Sequence, residues 1–221
     1  MADFPTPNII RSIRKTISLH ISTQGELIVK APFFIPEKII HSFIKQKEDW
    51  ILKALQKINV RKVSKKTYFE GEEFLFLGDI YKLHLGDFKD ISVSDSLLHF
   101  PSFMKFRIQK ELESWYIKKA KEIITERLDY MSKKMKTSYK DIRFSDTSSK
   151  WGSCSLDNAL QFNWRLIMTP LTVINYVVVH ELTHTLEKNH KASFWIKVRL
   201  YTPAYKQHRK WLETNKHLLN V

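Results

Sequence analysis

Whatever this chain folds into has to accommodate one pentapeptide, His180-Glu181-Leu182-Thr183-His184. Four residues along an α-helix turn about 400°, so on a helix His180 and His184 leave from one face about 6 Å apart along the axis and can ligate a single ion. Glu181 then sits beside them, within reach of a water on that ion. The β-branched run Val177 to Val179 suits a buried strand equally well, and a strand would set the two histidines too far apart. Thr169-Pro170 reads as an N-cap followed by proline at the first helical position, and Ile174, Val177, Val178, Leu182 and Leu186 keep helical spacing, so the segment is expected to be a helix.

A zinc site that does chemistry needs a third ligand and an open position. His190 is the first candidate, with Glu213 and His208 behind it. For His190 to swing back the helix must stop near Glu187-Lys188-Asn189, and Asn189 is expected to take the left-handed conformation. The spacing to His190 matches the metzincin pattern, but Glu187 stands where that pattern has glycine, and no methionine follows Met168 to make a Met-turn. A metzincin in the strict sense is excluded.

The 221 residues, with 43% hydrophobic and 13% aromatic side chains, supply a packed core and exclude general disorder. Cys154 is the only cysteine, which excludes an intrachain disulfide and any cysteine-based zinc finger or iron–sulfur site. The absence of an apolar run at the start or of about 18 consecutive apolar residues elsewhere leads to the expectation of a soluble, cytoplasmic protein with no membrane partner. The formal net charge of +14 favours polyanions, yet only 9 of the 37 basic residues are arginine. A lysine-rich solvated surface accounts for most of this, and nucleic acid is carried as a non-specific partner.

Along the chain, Ile17 to Ile21 and Leu27 to Val29 read as a hairpin around Gln24-Gly25, and Glu37 to Ile58 as one amphipathic helix. Phe74 to Leu77, Tyr81 to Leu85 and Ile91 to Phe100 read as a small antiparallel sheet with turns at Gly78-Asp79 and near Gly86-Asp87. A second long helix is expected over 105–136, then a strand at Ile142 to Phe144 and another from Leu160 to Ile167. The fold class is α+β, divided into a β-rich amino-terminal region, 1–103, with one crossing helix, and a carboxy-terminal region, 104–221, built on the histidine helix.

Ser149-Lys150-Trp151-Gly152-Ser153-Cys154-Ser155, Phe162-Asn163-Trp164-Arg165-Leu166, the histidine motif with Tyr176 to Val179 before it, Asn189-His190 and Phe194-Trp195 together resemble the YgjP-like metallopeptidase family, a zincin group related to SprT-like and WLM proteases. The resemblance covers nearly the whole chain. It implies a zincin-like carboxy-terminal half, one zinc ion (Zn2+) held by His180, His184 and His190, Glu181 as general base, and a peptide or protein substrate. Trp151, Gly152, Ser153, Asn163 and Tyr201 are candidate substrate-binding residues, the first three as part of an edge on which an extended peptide could be laid. Tyr201, Tyr205 and His208 are candidates for a hydrogen bond to an oxyanion, whereas Phe194 and Trp195 read as core, with Trp195, Val198 and Leu200 on one buried face. The alternative is a nucleic-acid-associated binding protein with a structural zinc or a vestigial site. An intact Glu181 argues against it, because a structural site has no use for a base beside the ligands.

Overall fold

A computed structural model describes residues 5–22, 25–63, 66–147 and 149–221, without the side chains of 56–63. Gln24 of the expected turn and the side chain of Ile58 lie outside the described residues. The architecture is α+β, with six α-helices and three small sheets among the described residues. The chain divides into two compact units, 1–65 and 66–221.

In the first unit β3 (Leu27–Pro32) lies between β1 (Asn8–Ser12), parallel to it, and β2 (Ser18–Ile21), antiparallel to it. The expected hairpin is β2–β3, closed by Ser22 N–H to Glu26 O at 2.9 Å. Alternation along β3 sends Leu27, Val29 and Ala31 inward, against Ile40 and Ile44 of α1 (Glu37–Gln46) and Ile51 of α2 (Glu48–Val63). The single helix expected from 37 is therefore two, interrupted at Lys47.

The second unit opens with a four-stranded sheet ordered β4-β5-β7-β6, from β4 (Glu73–Phe76), β5 (Asp79–Gly86), β6 (Ser92–Ser94) and β7 (Leu97–Pro101). It is mixed, because β5 and β7 run parallel. The strand expected over Ile91 to Phe100 is folded back on itself at Asp95 and Ser96, both at positive φ (50° and 60°), which is the geometry of a two-residue hairpin. Phe74, Leu83, Leu98 and Phe100 of this sheet share a core with Leu112 of the following helix, α3 (Ile108–Met135). That shared core joins 66–103 to the carboxy-terminal elements, and the compact units divide after 65, where the sequence predicts a boundary after 103.

Seven residues of α3, Leu112, Tyr116, Ala120, Ile124, Leu128, Met131 and Met135, form its buried stripe. Phe106, inside the helix expected over 105–136, precedes α3 in a 3-10 turn and is 80% exposed. Exposed lysines 118, 121, 133, 134 and 136 on the other side are interleaved with Glu122, Glu126 and Asp129. Tyr116 donates to Leu75 O at 2.9 Å and Arg127 Nε to Asn175 Oδ1 at 2.8 Å, so α3 is fixed to the sheet on one side and to α4 (Leu171–Leu186) on the other.

The third sheet, ordered β8-β10-β9, comprises β8 (Asp141–Ser145), β9 (Gly152–Cys154) and β10 (Ala159–Asn163). β10 is parallel to β8 and antiparallel to β9, which leaves β9 as an edge. The strand expected to reach Ile167 ends at Asn163, whose side chain accepts from Arg165 N–H at 2.9 Å and so starts a 3-10 turn over Trp164–Met168. Leu77 and Gly78, at the β4–β5 turn, donate to the carbonyls of Ile167 and Met168. A Cβ on Gly78 would lie 2.7 Å from Pro170, so glycine is needed there both for its φ of 91° and for the approach to the start of α4.

Candidate active site

α4 begins directly after Pro170, which sits one position earlier than expected, at the N-cap, while the Thr169 hydroxyl donates to Leu166 O at 2.8 Å. Val173, Ile174, Val177 to Val179 and Leu182 are buried, which settles helix over strand: packed on α3, the β-branched residues of Val177 to Val179 find partners on more than one side of the helix. His180 and His184 come together one turn apart, with ring centroids 5.0 Å apart.

After Leu186 the chain turns. Glu187 takes an extended conformation (φ −137°) while its N–H still bonds to Thr183 O at 2.9 Å. Asn189 is not left-handed; the reversal is made by the extended Glu187 and by Lys191 N–H donating to Asn189 O at 2.9 Å. Lys188 pins this turn to the end of β9, donating to Ser155 O at 2.8 Å and to Asn158 Oδ1 at 2.5 Å. His190 is thereby returned to the helix face, its ring 5.0 Å from that of His180 and 4.6 Å from that of His184. Phe194 of α5 (Ala192–Tyr201) is fully buried and lies 4.6 to 4.9 Å from all three rings, so it is core and at the same time the back wall of the cluster.

The donor set fits a metal ion. One ligand atom from each histidine lies within 4.8 Å of the others, and among the described residues this is the group that brings three such atoms together. The Nε2 atoms of His180 and His190 are 3.1 Å apart, close to the edge of about 3.3 Å expected between two nitrogens on a tetrahedral zinc. Nδ1 of His184 donates to Glu187 O at 3.1 Å, which fixes the tautomer and leaves Nε2 as a lone pair. Burial pushes the His180 imidazole down to about 3, with the neighbouring His184 and His190 adding to the effect, so it is neutral as a ligand must be.

Glu181 is buried, and its Oε2 has no hydrogen-bond partner among the described residues. Burial pushes its carboxyl up to about 8, opposed only by the charge of Lys150. Its side chain lies against β9: a Cβ on Gly152 would fall 2.6 Å from Oε1. The Trp-Gly-Ser-Cys stretch is thus tied to the histidine motif by sterics, since only glycine lets the carboxylate pass.

A cavity of about 540 Å³ opens at this point, lined by His180, Glu181 and His190, by Trp151 and Gly152, by Tyr176 and Val177, and by Trp195, Arg209, Leu212, Glu213 and Lys216. Of the five candidate substrate residues, Trp151 and Gly152 therefore reach it. Ser153 pairs with Gln161 within the sheet, Asn163 caps the 3-10 turn and donates to Thr147 O at 2.8 Å, and Tyr201 packs against the core. Trp195 is a cavity wall and Leu200 is 72% exposed; the buried face of α5 runs through Phe194 and Val198 instead. Tyr205 stacks on Trp195 at 5.3 Å, His208 lies 6.2 Å from the Tyr176 ring, and Glu213 pairs with Arg209, outside the histidine cluster. Tyr176 was legible as the residue one turn before His180; Arg209 and Lys216 carried no such signal.

The YgjP-like metallopeptidase domain matches residues 15–215. The chain belongs to that family. The match extends over both units and identifies a metallopeptidase, a hydrolase class that requires a metal, and the histidine cluster is a group able to hold one. No curated protein and no solved structure matches the chain. No described helix of this family member is long and apolar enough to cross a membrane.

Proposed function

We propose that the chain is a zinc-dependent peptidase, with His180, His184 and His190 as the ligands, Glu181 as the general base, and a zincin-like organisation of α4 against β9. The observation that carries this reading is a cluster of three imidazoles, two of which line one cavity together with a buried carboxylate whose Oε2 has no hydrogen-bond partner among the described residues. When bound, zinc polarises a carbonyl and lowers the pKa of water toward 7. Glu181 would take the proton of the attacking water and pass it to the leaving amine, and the charge of a bound ion beside it would favour the ionised carboxylate that a base needs. Phe194 excludes solvent behind the ligands, and the Glu187 carbonyl holds the His184 ring in one tautomer.

The substrate is a peptide or protein in extended form. β9 is an edge strand whose first residue lies against Glu181, so a segment added alongside it would pass the base, consistent with strand addition. The decisive experiment compares wild type with Glu181→Gln, each checked for one zinc per chain, on a peptide library. Wild type is expected to cleave and to stop on chelation, with the variant slower by about 10²- to 10⁴-fold. Equal rates in the two zinc-loaded proteins would show that the base is misassigned.

A further inference from the structure

The cavity that holds Glu181 has a second wall of different chemistry. Along α6 (Tyr205–Asn215) and the 3-10 turn after it, Arg209 stands four residues after Tyr205, Leu212 and Glu213 three and four after Arg209, and Lys216 four and three after these, which places them on one face. Tyr205 is engaged by Trp195; the other four line the cavity. Trp195 in turn stacks at 5.6 Å on His190, so the wall adjoins the metal ligands.

Glu213 Oε1 takes Nε of Arg209 at 3.2 Å. An exposed i,i+4 pair of this kind adds little stability, but it orients the guanidinium, whose Nη1 and Nη2 remain as a fork without a partner among the described residues. Arg209 thus presents cationic N–H donors to the cavity beyond its pair with Glu213. Val177, Leu212 and Trp195 add apolar surface to the same cavity. A cationic fork in a cavity that also carries apolar surface fits a side chain that ends in, or adjoins, a carboxylate.

We propose that the α6 wall binds a substrate carboxylate, with Arg209 as the specificity-determining residue, so that the preferred substrates are peptides with an anionic group beside the scissile bond. This rests on the peptidase reading above. The carboxylate has two sources, the carboxy-terminus of a short peptide or an acidic side chain within a longer one, and the test separates them.

The probes are four acetylated tetrapeptides, Ala-Phe-Ala-Glu and Ala-Phe-Ala-Gln, each with a free or amidated carboxy-terminus. Their binding to the zinc-loaded wild type is measured by calorimetry, beside Arg209→Ala and Arg209→Lys. Arg209 is exposed, so neither change threatens the fold, and circular dichroism checks this. A carboxylate peptide is expected to bind wild type about tenfold or more tightly than the neutral Gln amide. Arg209→Ala should erase that preference while leaving the neutral peptide within about twofold, and Arg209→Lys should restore part of it. Preference for the free termini assigns the α-carboxylate, and preference for Glu over Gln in the amides assigns the side chain. Four equal affinities, the absence of measurable binding included, overturn the proposal, as does an equal loss of all four in Arg209→Ala. Metal-dependent hydrolysis of a peptide library by the same preparations reports separately: cleavage without carboxylate preference removes this inference and leaves the peptidase intact, and carboxylate preference without cleavage does the reverse.

Discussion

Two groups of histidines lie in the second unit, and ring proximity hardly distinguishes them. His84 and His99 face each other in register on the parallel strands β5 and β7, their ring centroids 5.8 Å apart, against 4.6 to 5.0 Å within the His180, His184 and His190 cluster. The difference lies in what the nitrogens meet. Nδ1 of His84 is bound to Glu70 at 2.8 Å and Nε2 of His99 to Ser94 at 2.9 Å, so each ring is turned to its own partner. In the other group the nitrogens converge, and the one fixed outward contact, from His184 to the Glu187 carbonyl, leaves the inward lone pair free. Clustering brings imidazoles together; a metal site also needs the tautomers set and the lone pairs aimed at one point.

That contrast can be broken most sharply by metal analysis. His184→Ala is expected to fall from one zinc per chain to near zero, whereas His84→Ala and His99→Ala keep full stoichiometry; zinc retained by the His184 variant would refute the ligand set. Next in size is Gly152→Ala. The new methyl displaces the Glu181 carboxylate, so peptide cleavage should drop by about 10²-fold while zinc stays bound. Replacing Glu70 by Gln, at the other group, should leave the rate unchanged.

Chelation comes third. A metal that binds only the folded chain adds about 2.7 kcal/mol at a free concentration one hundred times its Kd, so thermal scans should shift downward on chelation in wild type and in His84→Ala, and stay where they are in His184→Ala.

The smallest expected effect is a pH slope in the metal-free protein. Glu181 has a folded value of about 8, above its ordinary 4.5, so its stabilising contribution is complete below 4.5 and is lost as pH rises through 8. His180, lowered from 6.5, is neutral in both states above that pH and adds no slope there. Between pH 6.5 and 8 wild type should therefore lose up to about 1.4 kcal/mol per pH unit, and Glu181→Gln should flatten the curve. An unchanged slope in denaturant titrations of the variant would assign it elsewhere.

The sequence by itself determined the helix that carries His180, Glu181 and His184, the long helix α3, and the β2–β3 hairpin, because each rests on a local period of 3.6 or 2 that a short window contains. It also pointed to His190, although not to how that residue returns: the extended Glu187 and the tie from Lys188 to Ser155 depend on a strand more than thirty residues away. Tertiary structure alone decided the break at Lys47, the fold-back at Asp95 and Ser96, and the mixed direction of the second sheet. It alone decided as well that Gly152 serves Glu181, that Asn163 is a cap, and that Arg209 shares the cavity. These are contacts between segments far apart in the chain, set by which surfaces bury each other, and no periodicity within either segment records its distant neighbour.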